Sequence, residues 1–94
     1  MIIAVESLGA IKALIGSREI QVEMPDGARL ADLLERLSQQ YGPEFNRQVN
    51  AGGDWPELRA RIFINGRDHF TLQHLDTVLR DGDRVMLLPP MAGG

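Results

Sequence analysis

The sequence has 94 residues, 44% hydrophobic and 24% charged, with a net charge of −3. That length holds one domain with one core and leaves no room for two; the composition is globular rather than disordered, and the weak negative charge argues against general affinity for nucleic acid. There is no cysteine, which excludes disulfides, thiolate metal sites and a cysteine nucleophile. In chain order, residues 2–5 are short, apolar and β-prone and read as a strand. They carry no basic leader, and no run in the chain is long enough to cross a bilayer, so a cytoplasmic protein without membrane association is expected. Residues 8–16 read either as a short helix or as a hairpin connection. Residues 18–24 alternate, with Ile20, Val22 and Met24 on one side and Gln21 and Glu23 on the other, as in a strand with one buried face. The first two strands form an expected antiparallel pair.

Pro25-Asp26-Gly27 marks a turn. Leu30, Leu33, Leu34, Leu37 and Tyr41 then share one helical face, and Asp32, Glu35, Arg36, Gln39 and Gln40 share the other. This predicts a helix over Leu30–Tyr41, about 18 Å long, ended by Gly42-Pro43. Residues 44–57 read as a short helical turn and a surface loop, with Trp55 folded over the core edge. Residues 59–64 return to strand character, and Asn65-Gly66 is a two-residue hairpin signal. Residues 70–78 look short and irregular, and Asp81-Gly82-Asp83 turns the chain into the last strand, Arg84–Leu88. Pro89-Pro90 has no N–H to donate and stops further pairing. One helix covers one sheet face, so the expected architecture is a two-layer α+β domain over residues 1–88 with an extended tail over 89–94. The first and last strands are the candidates for central neighbours.

The tail carries the chemistry. Pro89 and Pro90 are stiff, and six residues reach roughly 20 Å when extended. Gly93-Gly94 has no side chains, so it can thread a channel that any Cβ would block. Its terminal carboxylate is a poor acyl donor until it is activated, and glycine leaves the acyl carbon unhindered. Alternation in the last strand places Val85 and Leu87 inward and Met86 and Leu88 outward. In the first strand Ile3 and Val5 point in, and Ile2 and Ala4 point out, with Leu8 beyond. An outward apolar strip of this kind marks a protein interface. Other candidates are weaker. His69 and His74 have no third ligand in view, so no metal site is expected. Asp81-Gly82-Asp83 lacks the spacing of a calcium loop, and Arg59, Arg61 and Arg67 read as a solvated strand edge.

Several segments, in order, resemble the MoaD/ThiS family of ubiquitin-like sulfur carriers, most closely its MoaD branch. They are the opening 7–16, the turn into the helix at 25–34, the Phe63-Ile64-Asn65-Gly66-Arg67 hairpin, the turn at 79–85 and the tail Leu88-Pro89-Pro90-Met91-Ala92-Gly93-Gly94. The chain is longer than typical thiamin-pathway carriers through its 44–59 loop, which favours the MoaD-like branch. The resemblance implies a β-grasp fold. It implies that a ubiquitin-activating-type enzyme, using ATP and magnesium, adenylates Gly94, and that a persulfide donor converts the acyl group to a thiocarboxylate. It further implies that residues 89–94, Pro89, Pro90, Met91, Ala92, Gly93 and Gly94, thread into a MoaE-like large synthase subunit, where the sulfur builds the dithiolene of a molybdenum or tungsten cofactor. Catalytic side chains would belong to the partners, and the chain itself would bind no cofactor. Leu8 and Leu88 carry over as docking residues; Met86 and Phe70 are added to them from the residue pattern. The competing readings are a carrier for cysteine, thiamin or tRNA thiolation, a protein modifier conjugated through Gly94, and a plain interaction module. Arg29 stands where the family often has a capping threonine, so Asp26 or a backbone turn is expected to cap the helix.

Overall fold

In a computed structural model the described residues are 1–49, 60–68 and 72–89. Five strands form one mixed sheet: β1 (Ile2–Ser7), β2 (Glu19–Glu23), β3 (Arg61–Ile64), β4 (Arg67–Asp68) and β5 (Arg84–Leu88), in the order β2-β1-β5-β3-β4. β1 pairs antiparallel with β2 and parallel with β5, so the first and last strands are indeed central neighbours. β5 pairs antiparallel with β3, and β3 with β4. The registers place Ile3 beside Val22, Val5 beside Val85, and Ile62 beside Leu87, all buried on one face. Alternation therefore works as expected: the inward residues of three central strands make one continuous apolar floor.

Helix α2 (Leu30–Tyr41) covers that floor with Leu30, Leu33, Leu34 and Leu37, each fully buried. Its ends agree with the sequence expectation; its cap does not. Arg29 is the N-cap residue, and its backbone N–H donates to Asp32 Oδ2 at 2.8 Å. Asp32 lies one turn inside the helix, where a carboxylate also meets the positive end of the helix dipole. Asp26, the expected helper, instead stands exposed, 3.8 Å from the Met1 ammonium. A second anchor comes from far along the chain. The Leu30 N–H donates to the Thr77 carbonyl, and the Leu79 N–H donates to the Ala28 carbonyl, around an Arg29–Val78 bridge. The segment read as irregular thus contains a 3-10 turn (His74–Asp76) and a tie that fixes where α2 begins.

Two shorter helices extend the helical layer. α1 (Gly9–Ile15) resolves the ambiguous stretch after β1 as helix and buries Ile11. α3 (Pro43–Val49) starts on the proline that follows the end of α2, a position that suits a residue with no N–H. The expectation of a helical turn there was too modest, because Phe45 and Val49 of α3 are both fully buried. Residues 50–59, Trp55 and Arg59 among them, lie outside the described residues.

The β3–β4 hairpin turns on Asn65 (φ 53°) and Gly66 (φ 83°), the pair of left-handed conformations of a type I′ turn. Asn65 does more than turn. Its amide donates to Asp83 Oδ1 and its carbonyl oxygen accepts from the Arg84 N–H, each at 2.9 Å. This side chain locks the hairpin to the turn that launches β5.

Candidate functional site at the outer sheet face and tail root

The helices cover one face of the sheet. On the other, β5 presents Met86 and Leu88, both half-buried, while Val85 and Leu87, which alternate with them, are fully buried. Phe63 of β3 stands directly opposite Met86 in register and is also half-buried. On the other side of β5, Ser7 of β1 is level with Leu87, so Leu8 follows beside Leu88. Leu8 has extended backbone and is 39% exposed. Phe63, Met86, Leu88 and Leu8 therefore form one apolar strip across three adjacent strands, ending at the C-terminal edge of β5. Phe63, Gly66, Arg84, Met86 and Leu88 line a shallow, mostly apolar depression within it.

Pro89, half-buried, is the last described residue of the tail. It packs on the first residue of α1. Gly9 holds φ at +60°, and a Cβ built there would come within 2.9 Å of Pro89 Cγ. Only glycine satisfies both demands, a left-handed backbone and contact with a proline ring. The β1–α1 junction thus forms the seat from which the tail departs. Pro90, Met91, Ala92, Gly93 and Gly94 lie outside the described residues, as do Phe70 and His69.

Charge borders the strip. Arg84 on β5 reaches across β1 and pairs with both Glu6 and Glu19, linking three strands on the outer face. Hydrogen bonds that Arg84 donates to Glu19 and then to Glu6 hold its guanidinium still more firmly in the protonated form. On the other flank, Arg61 lies 5.3 Å over the Phe63 ring and 3.7 Å from Asp68. Arg67 is exposed on the edge strand β4, as the solvated-edge reading has it, whereas Arg61, also exposed, lies on β3, inside the sheet between β5 and β4. A broader hollow beside the turn into α2 is lined by Asp26, Asp32, Glu35 and Arg36 and shares no residue with the strip. Among the described residues no group of three or more His, Asp or Glu side chains is placed to hold a metal ion. No helix among them is long and apolar enough to cross a membrane.

The structure thus brings Leu8, Met86, Leu88 and Pro89 together. Sequence reading missed two members of this site. Phe63 was legible in principle, since alternation against Ile62 and Ile64 assigns it to the outer face. Gly9 was not, because its partner is 80 residues away in the sequence.

A sequence model described as "ThiS family" matches residues 7–94. A Haloferax volcanii protein named "Small archaeal modifier protein 3" is 31% identical over 83 residues, covering 88% of each chain. An Archaeoglobus fulgidus protein named "Putative sulfur carrier protein" is 34% identical over 62 residues, covering 66% of this chain and 69% of its own. Among solved structures, the Pyrococcus furiosus protein named "Putative molybdopterin converting factor, subunit 1" superposes with a TM-score of 0.75 at 29% identity, over 97% of this chain and 99% of that one.

Proposed function

The chain belongs to the ThiS family of ubiquitin-like β-grasp sulfur carriers and modifiers, and from that membership we propose that its Gly94 carboxylate is the working group. In this reading a ubiquitin-activating-type enzyme seats the apolar strip, draws in residues 89–94, and adenylates Gly94 with ATP and magnesium. A persulfide donor then replaces the adenylate, leaving a thiocarboxylate. Sulfur is carried on the terminus because the chain has no cysteine to carry it. The observation that supports this reading best is the apolar strip of Leu8, Met86, Leu88 and Phe63 on the outer face, whose Leu88 immediately precedes Pro89, where the tail begins. An apolar surface at the root of a tail that ends in two residues without side chains suits a partner that must hold the body and receive the end.

For the destination of the sulfur we propose a molybdopterin-type precursor in the cytoplasm, received through a MoaE-like large subunit; the relative from Pyrococcus furiosus favours it. Cysteine, thiamin or tRNA thiolation is the alternative destination. The Haloferax volcanii relative favours a second reading, conjugation of Gly94 to other proteins. Intact-mass measurement of the protein from its native host distinguishes these. A terminus in which one oxygen is exchanged for sulfur is expected, and it should vanish, with the fold intact by circular dichroism, when Gly93-Gly94 is deleted. Stable adducts on lysines of other proteins with no thiocarboxylate at any stage would replace the carrier reading with the modifier reading.

A further inference from the structure

Glu6 and Glu19 stand directly opposite each other across the β1–β2 pair. Both belong to the outer face, because Val5 and Ser7, on either side of Glu6, are buried. Like charges at directly opposed positions destabilise a sheet. Arg84 answers both, donating to a carboxylate oxygen of each. Glu6 has no other ion pair among the described residues. It is also the more enclosed of the two, its side chain 16% exposed against 44% for Glu19.

Glu6 borders the apolar strip on two sides. It is level with Met86 on β5. Leu8, with its extended backbone, lies two residues further along the chain on the same face. A surface that covers Met86, Leu88 and Leu8 together therefore covers Glu6 as well. Such a surface strips water from the carboxylate, and a charge taken out of water must be paired where it is left. Arg84 supplies that pairing from a fixed base. Its N–H donates to Asn65 Oδ1 at 2.9 Å, and its carbonyl accepts the Asn65 N–H at 2.8 Å. The same residue lines the apolar depression together with Phe63, Met86 and Leu88.

We propose that Arg84 is a positioning residue for docking: it keeps Glu6 paired beneath the adenylating enzyme, so that an apolar surface closes over the strip without stranding a bare carboxylate. The inference rests on the reading that such an enzyme seats the strip. In this role Arg84 acts through Glu6 and takes no part in the chemistry at Gly94. The arrangement also describes the partner. One guanidinium against two carboxylates leaves this corner with a single negative charge. The fitting surface is therefore apolar over Met86, Leu88 and Leu8 and carries no carboxylate over the Glu6–Arg84–Glu19 corner. Like charges brought together there would reject a wrong partner.

The test is ATP–pyrophosphate exchange by the cognate adenylating enzyme, titrated with the full chain as wild type, Arg84→Gln, Glu6→Gln and the double variant. Arg84→Gln should raise the KM for the carrier about tenfold or more, because a covered charge loses its partner. The rate at saturation should stay near wild type, since only docking is affected. Its thermal melt should fall by less than about 8 °C, as for ion pairs on a surface. In the Glu6→Gln background, removing Arg84 should move KM less than about twofold, because the charge it served is gone. An unchanged KM in Arg84→Gln overturns the proposal and leaves the carrier reading standing. A comparable rise between Glu6→Gln and the double variant also overturns it, because the enzyme would then hold Arg84 directly. That second comparison uses only forms without the opposed carboxylates, so it decides the matter even where Arg84→Gln fails to fold. Absence of exchange with wild type overturns the carrier reading and this proposal with it.

Discussion

Replacing Met86 and Leu88 together by alanine tests whether the outer strip is what an activating enzyme holds. Burying a Leu or Met side chain completely stabilises by about 1.5–3 kcal/mol. Both residues are already largely buried in the free protein, so a partner can gain only the remaining third or less, at most about 0.5–1 kcal/mol from each. The pair therefore supplies about 1–2 kcal/mol, which is about a 5- to 25-fold change in affinity at about 1.4 kcal/mol per decade. The assay is ATP–pyrophosphate exchange by the cognate adenylating enzyme, titrated with the carrier. The KM for the carrier should rise by about that factor while the rate at saturation stays near wild type, because binding energy of the body is lost and the tail is untouched. The control is Ile2→Ala. Ile2 is 41% exposed on the same face but lies at the opposite end of β1, level with Glu23 rather than with the tail. It should change KM less than twofold. An unchanged KM in the double variant, or an equal rise in Ile2→Ala, would refute the assignment of the strip.

Two further substitutions probe the scaffold. Gly9→Ala combines a left-handed backbone (φ +60°) with a Cβ placed 2.9 Å from Pro89, whereas Gly16→Ala adds similar backbone strain (φ +87°) in open space. Both should lose about 1–2 kcal/mol in thermal melts, but only Gly9→Ala should also raise the carrier KM; equal KM values would show that the Gly9–Pro89 seat does not matter to the tail. Phe45→Ala removes a fully buried ring from α3 and should cost about 3–5 kcal/mol in urea unfolding, a large share of the roughly 5–14 kcal/mol expected for a chain of this length. A loss below about 1 kcal/mol would mean that α3 is not part of the core.

Local rules made much of this fold legible. The leucine spacing from Leu30 to Leu37 places α2 and its buried face without help from the rest of the chain. Alternation does the same for Val22 in β2 and for Val85 and Leu87 in β5, and Asn65-Gly66 announces its own hairpin. These signals survive because each depends on one element's geometry and on one buried face. The departures come where an element exists only through its contacts. α1 and α3 each have seven residues, too few for a helix that stands alone; Ile11, Phe45 and Val49 form them by entering a core built from distant strands. The cap of α2 follows the same logic, since the Thr77 carbonyl that receives the Leu30 N–H becomes a neighbour only after folding.

The tail divides in the same way. Gly93-Gly94, the Pro-Pro spacer and the lack of cysteine are properties of the sequence, and they select the terminal carboxylate as the proposed carrier group whatever the fold. Where that tail starts and what flanks it are tertiary facts. The parallel pairing of β1 with β5 is responsible, because it brings residues some 80 positions apart level with each other. It sets Leu8 beside Leu88 and Gly9 against Pro89.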